Sequence, residues 1–175
     1  MEQSIKSSAI NYGLYLGGLL SLITIAIYAV DISLMVNMWI GIVLLIVIVG
    51  FGIVSTAKSK SLFEGFLSFK QAFSSYFITV AVGIAISTAV SAILFNFIDP
   101  EAAEVIKEKT VETMIAMLEG FNTPAEAIAE AVEKIESQNQ YGILNLLKSL
   151  AWGLLFQSII GLIVAAIMKK TNPDA

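Results

Sequence analysis

Residues 32–57 read ISLMVNMWIGIVLLIVIVGFGIVSTA, twenty-six positions without one ionisable side chain. A helix crossing the ~30 Å hydrocarbon core of a bilayer needs about 20 predominantly apolar residues, so this stretch can span with length left for tilt or for ends among the headgroups. Lipid offers no partners to backbone N–H and C=O groups, which leaves only helices or a closed barrel. Strand-like alternation is missing, so the stretch reads as a helix.

Three more uncharged windows lie outward of it, at 7–30, 71–98 and 149–168. The expected spans are about 9–30, 34–57, 71–98 and 149–168. The fold class that follows is all-α: an integral membrane four-helix transmembrane bundle forming a single membrane domain over 1–175. An extramembrane helical hairpin, 99–140, is inserted between spans three and four. Composition agrees, with 57% hydrophobic residues and 14% charged against about 25% charged in soluble domains. Lys6 before the first apolar run has the look of a secretory signal. The run is longer than a signal's apolar core and lacks a small-residue cleavage site, so a retained span is expected.

The ionisable inventory excludes much chemistry. Ten lysines and fourteen carboxylates stand alone, with no arginine, histidine or cysteine. A Ser-His-Asp triad, a cysteine nucleophile, a disulfide and a His/Cys zinc site are therefore ruled out. A net charge of -4 and the lack of arginine argue against nucleic acid as a partner. No cofactor is expected.

Charge also orients the spans. Lys6, Lys58, Lys60, Lys70, Lys169 and Lys170 share one side with Glu2, Glu64 and Asp174, net +3. Asp31 and residues 99–148 hold four lysines and eleven carboxylates on the other, net -7. By the positive-inside rule both termini are expected in the cytoplasm of an inner-membrane protein, with 99–140 periplasmic. Trp39, Trp152, Tyr28 and Tyr141 fall towards the outer side, and Tyr12 and Tyr76 towards the inner, as interfacial rings prefer.

The connections have their own signals. Asp31 and a few polar neighbours leave spans one and two as a tight hairpin. In 58–70, Leu62, Phe66, Phe69 and Phe73 share a helical face, which suits either a short interfacial helix or an ordered loop packing its phenylalanines under the bundle. Ser68 and Gln71 have capping-box spacing at the start of span three. Asp99-Pro100 reads as N-cap and first helical residue, and Thr123-Pro124-Ala125-Glu126 as a second start with a capping box. Val111, Met114, Ile115 and Leu118 form one apolar stripe; Ile128, Val132 and Ile135, with Ala125 and Ala131, form another. So small a pair holds only a thin core, and its stripes must meet each other, the span ends, a second copy or another protein.

Helices in lipid associate through small residues. Gly13, Gly17 and Ser21 in span one, Thr79, Gly83, Ser87 and Ser91 in span three, and Gly161 and Ala165 in span four mark the expected faces. No charge sits in the middle of a span. The polar candidates are Gln157, Asn96, Asn37, Asn145 and Lys148, with Gln157 read as an interhelical hydrogen-bonding residue and Lys148 as reaching the interface or pairing with a loop carboxylate. Gly50-Phe51-Gly52 echoes a dinucleotide glycine pattern but lies inside a span and follows no strand, so it reads as packing. The acidic carboxylates fall on solvated helix faces rather than in a cation site.

Tyr12-Gly13, Gly65-Phe66-Leu67-Ser68-Phe69 with Ala72-Phe73, Ile98-Asp99-Pro100-Glu101, and Gly161-Leu162-Ile163-Val164-Ala165-Ala166-Ile167 before Lys169-Lys170 resemble an uncharacterised bacterial family of small multispan membrane proteins, domain of unknown function "four-one-nine-nine". The resemblance covers nearly the whole chain. It implies four spans and an inner-membrane location, and carries over no site residues. The expected function is non-enzymatic: a structural, interaction or accessory protein in the lipid bilayer, meeting a protein partner or its own copy through the hairpin stripes. The alternative is an oligomeric permease for ions or small solutes with a path near Gln157 and Lys148, and a membrane-embedded enzyme ranks last.

Overall fold

A computed structural model describes residues 2–170, with side chains from Ser4 onward; the charges of Glu2 and Asp174 counted above lie outside that description. Six α-helices follow in order: α1 Glu2–Val30, α2 Met38–Ser61, α3 Phe69–Ile93, α4 Pro100–Gly120, α5 Ala125–Glu136 and α6 Ile143–Met168. A 3₁₀ turn, Ile32–Val36, precedes α2, and one π-helical turn, Leu94–Ile98, prolongs α3. Four segments are long and apolar enough to cross a membrane: Ser4–Val30, Met38–Ser61, Phe69–Ile98 and Ile143–Met168.

The central helix is α3, which packs on α1, α2 and α6. It runs parallel to α1, since Ala9, Gly13 and Gly17 lie opposite Thr79, Val82 and Ile86. It runs antiparallel to α2, since Ser59 meets Ser75 while Ser55 meets Thr79, and to α6, since Lys170, Ala165 and Gly161 fall in turn beside Leu67, Ala72 and Tyr76. The bundle therefore has two chemically distinct ends. The starts of α1 and α3 and the ends of α2 and α6 make a lysine end, with Lys6, Lys58, Lys60, Lys70, Lys169, Lys170 and Glu64. Asp31, Asp99 and the α4–α5 segment belong to the other, acidic end.

Boundaries differ from the uncharged windows for local reasons. The expected start of span two near residue 34 moves to Met38. There the Asp31 carboxylate accepts the Ser33 N–H at 2.9 Å and its hydroxyl at 2.7 Å, which winds the 3₁₀ turn. Asn37 then caps α2 by accepting the Trp39 N–H. The fourth span-length helix, α6, starts at Ile143, six residues before 149, because a charge ends an uncharged window without ending a helix. Lys148 rides on it, exposed. At α3 the Ser68/Gln71 capping box forms in both directions.

The 62–68 segment is the ordered loop of the two alternatives, not an interfacial helix. Glu64 and Gly65 take φ of 53° and 88°, a left-handed pair that stops helical propagation. The strand-like step after it pairs Leu67 with Lys170 through N–H to O contacts of 2.9 and 2.8 Å. Leu67, 1% exposed, closes a cluster with Ile5, Ala72 and Ala165, flanked by Phe63 and Phe73.

At the opposite end Asp99 caps α4 by accepting the Ala102 N–H, with Pro100 in the first turn as its fixed φ favours. The expected Thr123 capping box does not form, and Pro124 takes the N-cap place without a side-chain bond. The Thr123 N–H instead reaches back to the Leu118 carbonyl at 3.0 Å, so this residue closes α4. The two helices pack on each other, and α5 packs on no other helix among the described residues.

Candidate functional site

The interior of the bundle is organised by Tyr76, a side chain with no exposure to solvent. A Cβ added at Gly52 would lie 2.4 Å from the ring, and one at Gly161 2.7 Å from its other edge. Two glycines on two helices thus form a slot that only a missing side chain permits. Tyr76 is not the interfacial ring that its position near a span end suggests; the slot fixes it inside the bundle. Its hydroxyl donates to Gln157 Oε1 at 2.8 Å, tying α3 to α6 where both groups are buried.

A chain of hydroxyls lies beside it. Ser59 and Ser75 are 2.8 Å apart, Ser75 and Ser55 3.2 Å, and Thr79 donates to Ser55 at 2.7 Å with the Ala9 carbonyl 3.0 Å away. Ser55, Ser59, Ser75 and Thr79 all have zero exposure. Among the described residues no buried side-chain N or O lacks a partner. Elsewhere single hydroxyls fold back on the preceding turn, as Ser21 does to the Gly17 carbonyl and Thr56 to that of Gly52. Both devices satisfy polar atoms where water is missing. A polar core of this kind orients helices.

The other small residues read as packing faces lie as follows. Gly13, Gly17 and Gly83 face Val82, Ile86 and Leu16 so closely that a Cβ would come within 2.5–2.7 Å. Ala165 and Ser21 are buried, and Ser87 is half-buried. These faces meet within one chain. Hydropathy and small-residue spacing do not mark Tyr76 as a core residue or single out the serines of α2. Their signal was present: Ser55/Ser59 and Ser75/Thr79 are two i, i+4 polar pairs in otherwise apolar runs, the spacing of one helical face.

At the acidic end Tyr28 donates its hydroxyl to Asp99 Oδ2 at 2.7 Å while Asp99 Oδ1 caps α4. The Tyr28 hydroxyl and the Ala102 N–H hold the Asp99 carboxyl below the usual carboxylate range. Asn96 donates to the carbonyls of Ala92 and Tyr141, both at 2.9 Å, where the π-helical turn widens α3. Leu94, Phe95, Ala102 and Ile106 are buried there against Tyr28, Met35 and Tyr141. Burial pushes the Tyr141 phenol up to about 12. The base of α4 is therefore anchored, and the remainder projects as an arm.

On that arm Val111, Ile115 and Leu118 of α4 and Ile128, Val132 and Ile135 of α5 are all half-buried. Each stripe's main cover is the other helix. At the turn between them Phe121 is 75% exposed and Met117 49%. Gln157 and Lys148, nine residues apart on α6 and so about 13 Å along its axis, do not meet: the first is buried against Tyr76 and the second is exposed.

Fold and interior define an all-α protein with four helices fit to cross a membrane, joined by tight glycine contacts and a self-satisfied polar core. The family described as Protein of unknown function (DUF4199) matches residues 11–170. The chain belongs to that family. No curated protein and no solved structure matches it.

Proposed function

We propose that this is a non-enzymatic inner-membrane protein whose four spans hold the α4–α5 arm in the periplasm, both termini being cytoplasmic, and that it works by protein contact through the arm. The observation that carries this reading is the asymmetry of attachment. The arm's base is built into the acidic end through Asp99, Ala102 and Ile106, while among the described residues α5 is held by α4 alone and the tip exposes Phe121 and Met117. An aromatic and a methionine at an exposed tip are residue types enriched at interfaces.

The test compares affinity purification in mild detergent of the native chain and of Phe121→Asp/Met117→Asp, each followed by mass spectrometry and a mass measurement of the complex. A specific partner or a second copy retained by the native chain and lost from the variant is expected, with thermal unfolding unchanged. A solitary monomer whose arm can be removed without effect on stability or physiology overturns the reading.

A further inference from the structure

At the lysine end a cleft of about 210 Å³ lies between the starts of α1 and α3, lined by Ile5, Lys6, Lys70, Gln71 and Ser74. Its chemistry is one-sided. Lys6 comes from one helix and Lys70 from the other, and Ser74 lies one turn beyond Lys70. Gln71 Oε1 accepts the Ser68 N–H at 2.9 Å in the capping box, so its NH₂ is the end turned away from that bond. Among the described residues the lining side chains thus offer ammonium groups, an amide NH₂ and a hydroxyl, and no carboxylate. Both helices begin here, and their dipoles add positive potential. The floor is fixed, since Ile5 is 2% exposed within the cluster that also holds Leu67, Ala72 and Ala165.

We propose that this cleft binds a phosphate oxyanion, the group carried by an acidic phospholipid headgroup or by inorganic phosphate. Basic pockets between spanning helices are suited to acidic headgroups. On the lipid-facing side of α1, Ile10 and Leu14 are 43% and 51% exposed one and two turns above Lys6, which gives an acyl chain apolar surface directly above a headgroup in the cleft. The inference rests on the four helices being spans, but not on what the arm meets or on which way the protein faces.

Native mass spectrometry of the full chain in mild detergent tests it, with phosphatidylglycerol, zwitterionic phosphatidylcholine and inorganic phosphate as separate probes. Phosphatidylglycerol adducts should form in preference to phosphatidylcholine. Lys6→Gln/Lys70→Gln should weaken them roughly tenfold or more, since both ammonium groups that line the cleft are lost. Lys58→Gln/Lys60→Gln removes equal charge from the same end and should leave them within about twofold, since neither residue lines the cleft. If inorganic phosphate raises the thermal midpoint of the native chain and not of Lys6→Gln/Lys70→Gln, the oxyanion site stands and its ligand is the soluble ion. Equal losses in the two double variants, or no preference for phosphatidylglycerol together with no phosphate effect, overturn the proposal. Because binding is read in detergent, it can fail while the arm reading stands, and the reverse.

Discussion

Tyr76 shows how much a single residue can settle when both sides of a helix are apolar. Hydropathy does not tell which face of α3 is inside, but two glycines facing one ring do. Gly161→Val places new atoms against the ring edge and should cost about 1–3 kcal/mol. Gly153→Val, on the same helix with nothing near its Cβ direction, should be neutral within about 0.5 kcal/mol. Midpoints of thermal unfolding in detergent, measured on the two variants, check the contrast; equal loss would mean that the slot does not order the bundle. The Tyr76 hydroxyl itself contributes less. Membrane interhelical hydrogen bonds average about 0.6 kcal/mol with a maximum near 1.7, so Tyr76→Phe should lie near that average and below the Gly161→Val loss.

Elements were legible to the extent that lipid dictates them. A spanning helix must be long and uncharged, and the windows over 32–57 and 71–98 show this without any knowledge of packing. Their ends were harder, because local hydrogen bonds set them: Asp31 and Ser33 delay α2, and Thr123 is drawn back to α4 rather than capping α5. The interior of the bundle was only half legible. Glycines and small residues mark close faces, but nothing in a hydropathy profile pairs Ser55 with Thr79 or turns Tyr76 inward. The join of α3 to α4 gives a test at this scale. With its pKa lowered in the folded state, Asp99 contributes stability that is present above the unfolded value of about 3.9 and lost as pH falls through the lower folded value. Thermal midpoints of the native chain should therefore drop below about pH 4 more steeply than those of Asp99→Asn. The variant should start somewhat lower at neutral pH, having lost the charge that strengthens the hydrogen bonds from Tyr28 and Ala102; identical slopes would remove Asp99 from the acid response.

At the scale of the whole molecule, antiparallel packing turns a charge count into geometry. The lysines scattered over 6–70 and 169–170 gather at one end only because α2 and α6 run against α1 and α3, and the carboxylates of α4 and α5 follow from the opposite end. Residue 60 closes α2 at the lysine end, and residue 130 sits in α5 beyond the acidic one. If the four helices span, those two positions face different compartments, whichever way the protein is inserted. The positive-inside bias then selects the direction. Because the chain has no cysteine, Lys60→Cys and Glu130→Cys each introduce a single thiol, and an impermeant thiol reagent on intact cells reads them separately. Residue 130 should label at once and residue 60 only after the membrane is opened. The reverse pattern keeps the spans and inverts the proposed orientation, placing the arm in the cytoplasm. Labelling of both in intact cells is incompatible with four spans and would undo the membrane reading from which the orientation starts.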